Sequence, residues 1–240
     1  MTATHGQDEI KPPKVPHDAV GVVLFGGSFD PPHAWHTKIA KAARDAVFGP
    51  DGWILFVPTA QSPLKTLGPV ASSSDRAAMI GLAAANITNS AVWLDEIDRA
   101  DSYGHPSYTI ETVERLRRVH PGLALRLLIG MDQAEQFHRW HRYRELLKLA
   151  EPVVVYRGHM HQRERVRAAL AATGAWTSAE LKAWENRLVP CEVSAVSSTW
   201  VRQAVADPRT DQETLRNLVS SSVLAYIRKN GLYGACATQS

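Results

Sequence analysis

The sequence predicts an α/β fold: a doubly wound parallel sheet with helices on both faces, in a single domain closed by C-terminal helices. Three observations carry this. Apolar runs of strand length alternate with helical stretches along all 240 residues. The runs are continuously apolar rather than alternating, which implies burial on both faces. No repeat, heptad seam or low-complexity block divides the chain.

The first apolar run, Val20 to Phe25, precedes a helical pattern from about His33 to Val47. Trp53 to Val57 reads as the second strand, Ser74 to Asn86 as a helix, and Ala91 to Leu94 as a short strand. Ile110, Val113 and Leu116 recur at helical spacing and predict a helix to Val119, followed by the strand Ala124 to Ile129. Helix-like sequence continues through Leu149, then the strand Pro152 to Tyr156, then helices near Glu164 to Ala172 and Ala179 to Asn186. Ser198 to Arg228 reads as helices that close the domain. Residues 1–19, with three prolines, read as a flexible arm, 20–234 as the domain and 235–240 as a flexible tail.

A composition of 45% hydrophobic and 21% charged residues, with net charge +3, excludes disordered and collagen-like classes. A membrane span needs about 20 consecutive apolar residues, and the runs here are strand-sized. The N-terminal arm lacks the apolar stretch of a secretory signal. Two cysteines, Cys191 and Cys236, cannot build a disulfide framework, so a reducing, cytoplasmic setting is expected. Arginines cluster at Arg115, Arg117 and Arg118, at Arg139, Arg142 and Arg144, and at Arg163, Arg165 and Arg167, and read as solvated helix faces. Although the pI is about 8.9, no basic stripe calls for nucleic acid.

In open parallel sheets ligands bind outside the carboxyl ends of the strands, so residues directly after strands are the candidates. After the first strand comes GGSFDPPHAWH, Gly26 to His36. Paired glycines let a backbone turn sharply and approach an anion closely. Asp30, Pro31 and Pro32 fit a helix start, whose unpaired amides and positive dipole end receive phosphate. His33 and His36, three apart in the first turn, share a face. The same turn also serves simply to link strand to helix, and two histidines without a third ligand are weak grounds for zinc.

With these residues in view, GGSFDPPH followed by His36 resembles the signature of the nucleotidyltransferase superfamily. Later segments are similar to the nicotinate-nucleotide adenylyltransferases in particular. They are Arg76 and Met79 in DRAAM, Ser107 to Thr112 in SYTIET, Gly130 and Asp132 in IGMD, then Trp140, Arg157, SSTWVR ending at Arg202, and YIRKNGLY. They follow in the family's order from about residue 20 to 233. The resemblance implies a Rossmann-like fold and transfer of the adenylyl group of ATP to nicotinate mononucleotide. The products would be deamido-NAD and pyrophosphate, with Mg2+ as cofactor and no protein-held metal site.

On this resemblance His33 and His36 are catalytic. Gly26, Gly27, Ser28, Phe29, His33, His36, Ser198, Thr199 and Arg202 bind ATP. Lys65, Tyr108, Thr109, Asp132, Trp140 and Arg157 bind nicotinate mononucleotide. Each residue also has a plain structural reading. Ser197 to Thr199 cap a helix, Ser107 or Thr109 caps another, Asp132 is a helix cap, Trp140 is core, and Lys65 and Arg157 are surface charges. Lys65, in QSPLK, matches a family lysine, with Leu64 where the family has histidine. The clearest departure is Trp35, an indole where the family has glycine between the histidines; it packs inward or it crowds the nucleotide. Residues 157–190 match no family segment closely. Rival readings are a transferase for the amide mononucleotide (NMN) or phosphopantetheine, a nucleotide-binding regulator without turnover, and an arginine-rich nucleic-acid binder. No membrane or nucleic-acid partner is expected, and a homo-oligomer stays open.

Overall fold

Val22 to Gly27, Trp53 to Pro58 and the other apolar runs form one sheet in the computed structural model, which describes residues 11–60, 68–103, 107–157, 161–191 and 196–235. The chain runs β1 (Val22–Gly27), α1 (Ala34–Phe48), β2 (Trp53–Pro58), α2 (Ser73–Ala84), β3 (Ser90–Val92), α3 (Asp95–Tyr103), α4 (Thr109–Val119) and β4 (Leu125–Gly130). It continues with α5 (Met131–Glu135), α6 (Tyr143–Leu149), β5 (Glu151–Arg157), α7 (His161–Ala172), α8 (Ser178–Asn186) and β6 (Leu188–Cys191). The last helices are α9 (Ser198–Ala206), α10 (Gln212–Leu218) and α11 (Ser221–Lys229).

The strand order is β3-β2-β1-β4-β5-β6, and every pairing is parallel. Successive side chains of a strand point to opposite faces, and each strand feeds two separate cores. Val22, Leu24, Leu127, Ile129 and Val154 pack with α4, α6 and Trp184 on one face. Val23, Phe25, Phe56, Leu128 and Val153 pack with Ile39, Ala43 and Ile80 on the other. The continuous apolar runs have this two-sided burial as their cause. Helices α9 to α11 and Met79 of α2 form a third cluster beside the sheet.

Two elements escape the sequence reading. α3 is a short acidic helix with Asp95, Glu96 and Asp98 in its first turn. β6 is an edge strand containing Pro190, which is tolerated because an edge leaves one side of the backbone unpaired. Residues 11–19 also depart from a flexible arm. Val15 is buried in the first core, the Trp93 indole donates to the Lys11 carbonyl at 2.7 Å, and the His17 ring lies 4.7 Å from that of His120. An apolar valine and a waiting carbonyl tie down a segment whose prolines suggest freedom. Residues 1–10 and 236–240 lie outside the described residues.

The order reverses at β1, whose neighbours β2 and β4 lead away in opposite directions. That is a topological switch point, where the crevice of an open α/β sheet forms.

Candidate active site

The loop after β1 is built for clearance. A Cβ on Gly26 would meet nothing within 4 Å, while one on Gly27 would press on the Phe29 ring at 3.1 Å. Neither glycine makes the turn, contrary to the sequence expectation: the left-handed residue is Phe29, at φ 48°. Its ring is buried against Phe25 and Phe56, and that packing holds a backbone conformation costly for a bulky side chain.

The loop then enters α1 through His33, its N-cap residue. The His33 backbone N–H donates to Nδ1 of His36 at 3.2 Å, and the two rings stack at 3.7 Å. An Nδ1 that accepts leaves the proton on Nε2, so His36 carries a ring N–H donor. His33 is buried, and desolvation pulls its imidazole down to about 4, so it is neutral at pH 7. Its Nδ1 is enclosed and has no hydrogen-bond partner among the described residues. Trp35 is half-buried, packs onto the cluster that holds Ile39 and Ala43, and does not line the cleft.

Distant segments hold this loop. Arg76 of α2, 1% exposed, donates to the carbonyls of Ser28 at 2.9 Å and Thr59 at 2.6 Å, joining the β1 and β2 loops. Arg202 of α9 donates to the Asp30 carbonyl at 2.6 Å, and the Ser198 hydroxyl donates to that of Pro31 at 3.1 Å. The Asp30 carboxylate accepts from the Val70 and Ala71 amides and from the Tyr233 hydroxyl, at 2.7, 3.1 and 2.7 Å. Segments near opposite ends of the chain thus converge beside His33. Ser197 is the cap of α9, accepting from the Trp200 amide, and the Thr199 hydroxyl accepts from Arg202 at 3.2 Å.

A cavity of about 310 Å³ opens from Gly26, Gly27 and Ser28 toward α4 and the segment after β4. Tyr108, Thr109, Asp132 and Trp140 all line it. The amides of Thr109 and Ile110 open α4, and a first-turn amide has no acceptor within its own helix. The cap of α4 is Tyr108, neither Ser107 nor Thr109, and the Ser107 hydroxyl donates instead to the Glu96 carbonyl at 3.0 Å. Asp132, exposed in the first turn of α5, is not its cap, which is Gly130; a Cβ there would come within 2.8 Å of the Asp132 carboxylate. Trp140 is half-buried, one face stacked on Phe137 at 5.1 Å. Lys65 lies outside the described residues. Arg157 ends β5 at the same rim, paired with Cys191, and its side chain lies outside the described ones.

The comparisons bear on this geometry. The family model described as cytidylyltransferase-like matches residues 24–204. A protein of Leptospira interrogans named probable nicotinate-nucleotide adenylyltransferase is 35% identical over 213 residues, 88% of this chain and 95% of its own length. The chain belongs to the nicotinate-nucleotide adenylyltransferase family. A second such adenylyltransferase, from Gloeobacter violaceus, is 35% identical over 211 residues, covering 88% of this chain and 94% of its own. The Plasmodium falciparum nicotinic acid mononucleotide adenylyltransferase complexed with NaAD shares the fold. Its TM-score is 0.61 at 16% identity, over 89% of this chain and 97% of that one.

Within this adenylyltransferase framework, sequence reasoning missed a buried charge network behind α4. Asp95 accepts from Arg99 at 3.0 Å and from Arg115 at 2.6 Å, and Arg99 also pairs with Glu111 and donates to the Thr112 hydroxyl. Glu96 lines the cavity and takes the Thr112 hydroxyl at 3.2 Å. Burial raises its carboxyl to about 7, against a weaker pull from Arg99. An acidic run after a strand is the signal that could have found this network. Arg115 and Arg117 likewise are not solvated: Arg117 donates to the carbonyls of Leu123 and Leu149, at 2.6 and 2.7 Å. Arg142, Arg144 and Arg167 do sit on exposed faces, paired with Glu114 and Glu145, Glu180 and Glu185.

Proposed function

We propose that this chain transfers the adenylyl group of ATP to nicotinate mononucleotide, forming deamido-NAD and pyrophosphate in NAD biosynthesis. The observation that carries the reading is the convergence just described. The glycine-cleared loop at the switch point, which leads directly into α1, lines one cavity with Trp140 and the first residues of α4. The family's curated members carry that activity in their names.

In this reading the ATP phosphates lie over Gly26 to Phe29 and the start of α1, with Ser198, Thr199 and Arg202 alongside. The 5′-phosphate oxygen of the mononucleotide attacks the α-phosphorus in line. A new P–O bond forms, the bond to the bridging oxygen breaks, and the pair of electrons leaves on pyrophosphate. Such chemistry is helped mainly by positioning and by stabilising charge. His36 donates its Nε2 proton as a hydrogen bond to a phosphate oxygen. His33, neutral in the unliganded cleft, offers a ring N–H or takes up a proton as phosphate charge arrives.

On the acceptor side a pyridine carboxylate suits the first amides of α4, where the helix dipole is positive. Asp132 accepts from ribose hydroxyls, Trp140 supplies a flat face for the ring, and Lys65 and Arg157 are the cations that the family resemblance assigns to the mononucleotide. No group of three or more His, Cys, Asp or Glu side chains converges among the described residues, and the Asp30 carboxylate is engaged by the protein itself. The described residues therefore do not fit a metal cage. Magnesium would enter on the phosphates of ATP, as it commonly does.

The test is pyrophosphate release with ATP and, in parallel, nicotinate mononucleotide, NMN or phosphopantetheine. We expect the acid mononucleotide to give the highest kcat/KM. Preference for another acceptor would overturn the substrate assignment, and ATP binding without release for any acceptor would overturn the activity.

A further inference from the structure

The helices α7 and α8 lie in the stretch that resembles no family segment, and neither lines the cavity, yet rings from the α8 region back the strap that carries Trp140. We propose that the α8 region holds the tryptophan wall of the acceptor site, with Trp184 acting as a positioning residue for Trp140. The inference rests on the reading of Trp140 as the platform for the pyridine ring.

Trp140 stands near the middle of a short strap, residues 137–143, that crosses from α5 to α6. Both ends of the strap are clamped by rings from the α8 region. At one end Phe137, fully buried and stacked under Trp140, meets Trp184 edge-on at 5.4 Å and 72°. At the other end Tyr143 meets Trp176 edge-on at 5.6 Å and 83°. Trp176 and Trp184 close the arc against each other at 5.2 Å. Arg144 adds polar stitches, donating to the Ala175 carbonyl at 3.1 Å and to Glu180 at 3.0 Å.

Trp184 is 0% exposed and among the largest fully buried side chains of the protein. Among the described residues the buried indole N–H groups of Trp140, Trp176 and Trp184 have no hydrogen-bond partner, and what joins these residues to the strap is ring geometry. Edge-to-face and offset stacked pairs of this kind stabilise beyond the area they bury. A ring platform is useful only if its tilt is set before the substrate arrives, because an unfixed indole must be ordered on binding. The arc sets that tilt from outside the cleft: Trp184 touches Phe137, and Phe137 touches Trp140.

The experiment compares Trp184→Phe, Trp184→Leu and Trp140→Ala for kcat and for KM with nicotinate mononucleotide and ATP. Thermal unfolding is followed in parallel. Trp184→Leu is expected to raise KM for the mononucleotide about tenfold, with KM for ATP within about twofold, and Trp184→Phe to raise it about threefold. Trp184→Leu leaves a cavity, so Trp184→Phe, which keeps a ring, decides if the leucine variant does not fold. Equal changes in both KM values, or none in either, would make Trp184 merely structural and overturn the inference. If Trp140→Ala raises KM for the mononucleotide while Trp184→Phe leaves it unchanged, the inference fails and the platform reading stands. If Trp140→Ala itself leaves that KM unchanged, the platform reading fails, and the inference with it.

Discussion

On the side proposed for the ATP phosphates, Arg76, Ser198 and Arg202 donate to the carbonyls of Ser28, Pro31 and Asp30. On the side proposed for the acceptor, Phe137, Trp140, Trp176 and Trp184 meet through ring faces and edges, with three buried indole N–H groups unpaired among the described residues. One side is fixed by directional bonds to main chain, the other by packing. Directional bonds suit the place where a phosphorus must be approached in line, since small misplacements there are costly. Ring packing suits a platform that needs a tilt and a surface but no proton. Damage to the first side should therefore appear in stability and kcat, and damage to the second in KM for the acceptor, as the Trp184 variants test.

The sharpest way to break this contrast is Arg76→Ala. It removes a buried guanidinium that donates to the carbonyls of Ser28 and Thr59, and a hydrogen bond from a charged donor contributes about 1.5–3 kcal/mol. A loss of at least about 3 kcal/mol is expected in urea unfolding. A loss below about 1 kcal/mol would mean that the loop does not depend on Arg76.

Next in size is His36→Ala, which removes the Nε2 donor together with the Nδ1 acceptor of the His33 backbone N–H. A fall in kcat of about 100-fold is expected, with KM for ATP within about threefold. Small, equal changes in both would remove His36 from the transition state.

A smaller effect sharpens the acceptor side. Glu96 titrates at about 7 in the folded protein against 4.5 ordinarily, because burial disfavours its charge. The native state then holds more protons than the unfolded chain between those values, so this group's contribution is full below about 4.5 and is lost as pH rises through about 7. Glu96→Gln cannot titrate. Its stability relative to the parent should therefore rise between pH 5 and pH 8, by on the order of 1–2 kcal/mol. A constant difference across that range would show that Glu96 keeps its charge throughout.

Much of the molecule was legible in the chain itself. Continuous apolar runs announced strands buried on both faces, and the rule that ligands gather beyond carboxyl ends directed attention to Gly26–His36, Asp132 and Arg157. α3 was not legible, since its Asp95 and Glu96 look solvated until Arg99, Arg115 and Thr112 are seen around them. β6 hid because an edge strand with proline carries little pattern.

By itself the sequence determined the layered sheet, its working rim and the residue types offered there, because periodicity and turn chemistry are local properties. Tertiary structure decided which partners those residues meet. Phe29 rather than a glycine makes the turn because Phe25 and Phe56 enclose its ring. Arg202 reaches the carbonyl of Asp30 across 172 positions only because α9 packs beside the β1 loop. Trp140 is backed by α8 for the same reason: long-range contacts follow from how layers stack, which no local pattern encodes.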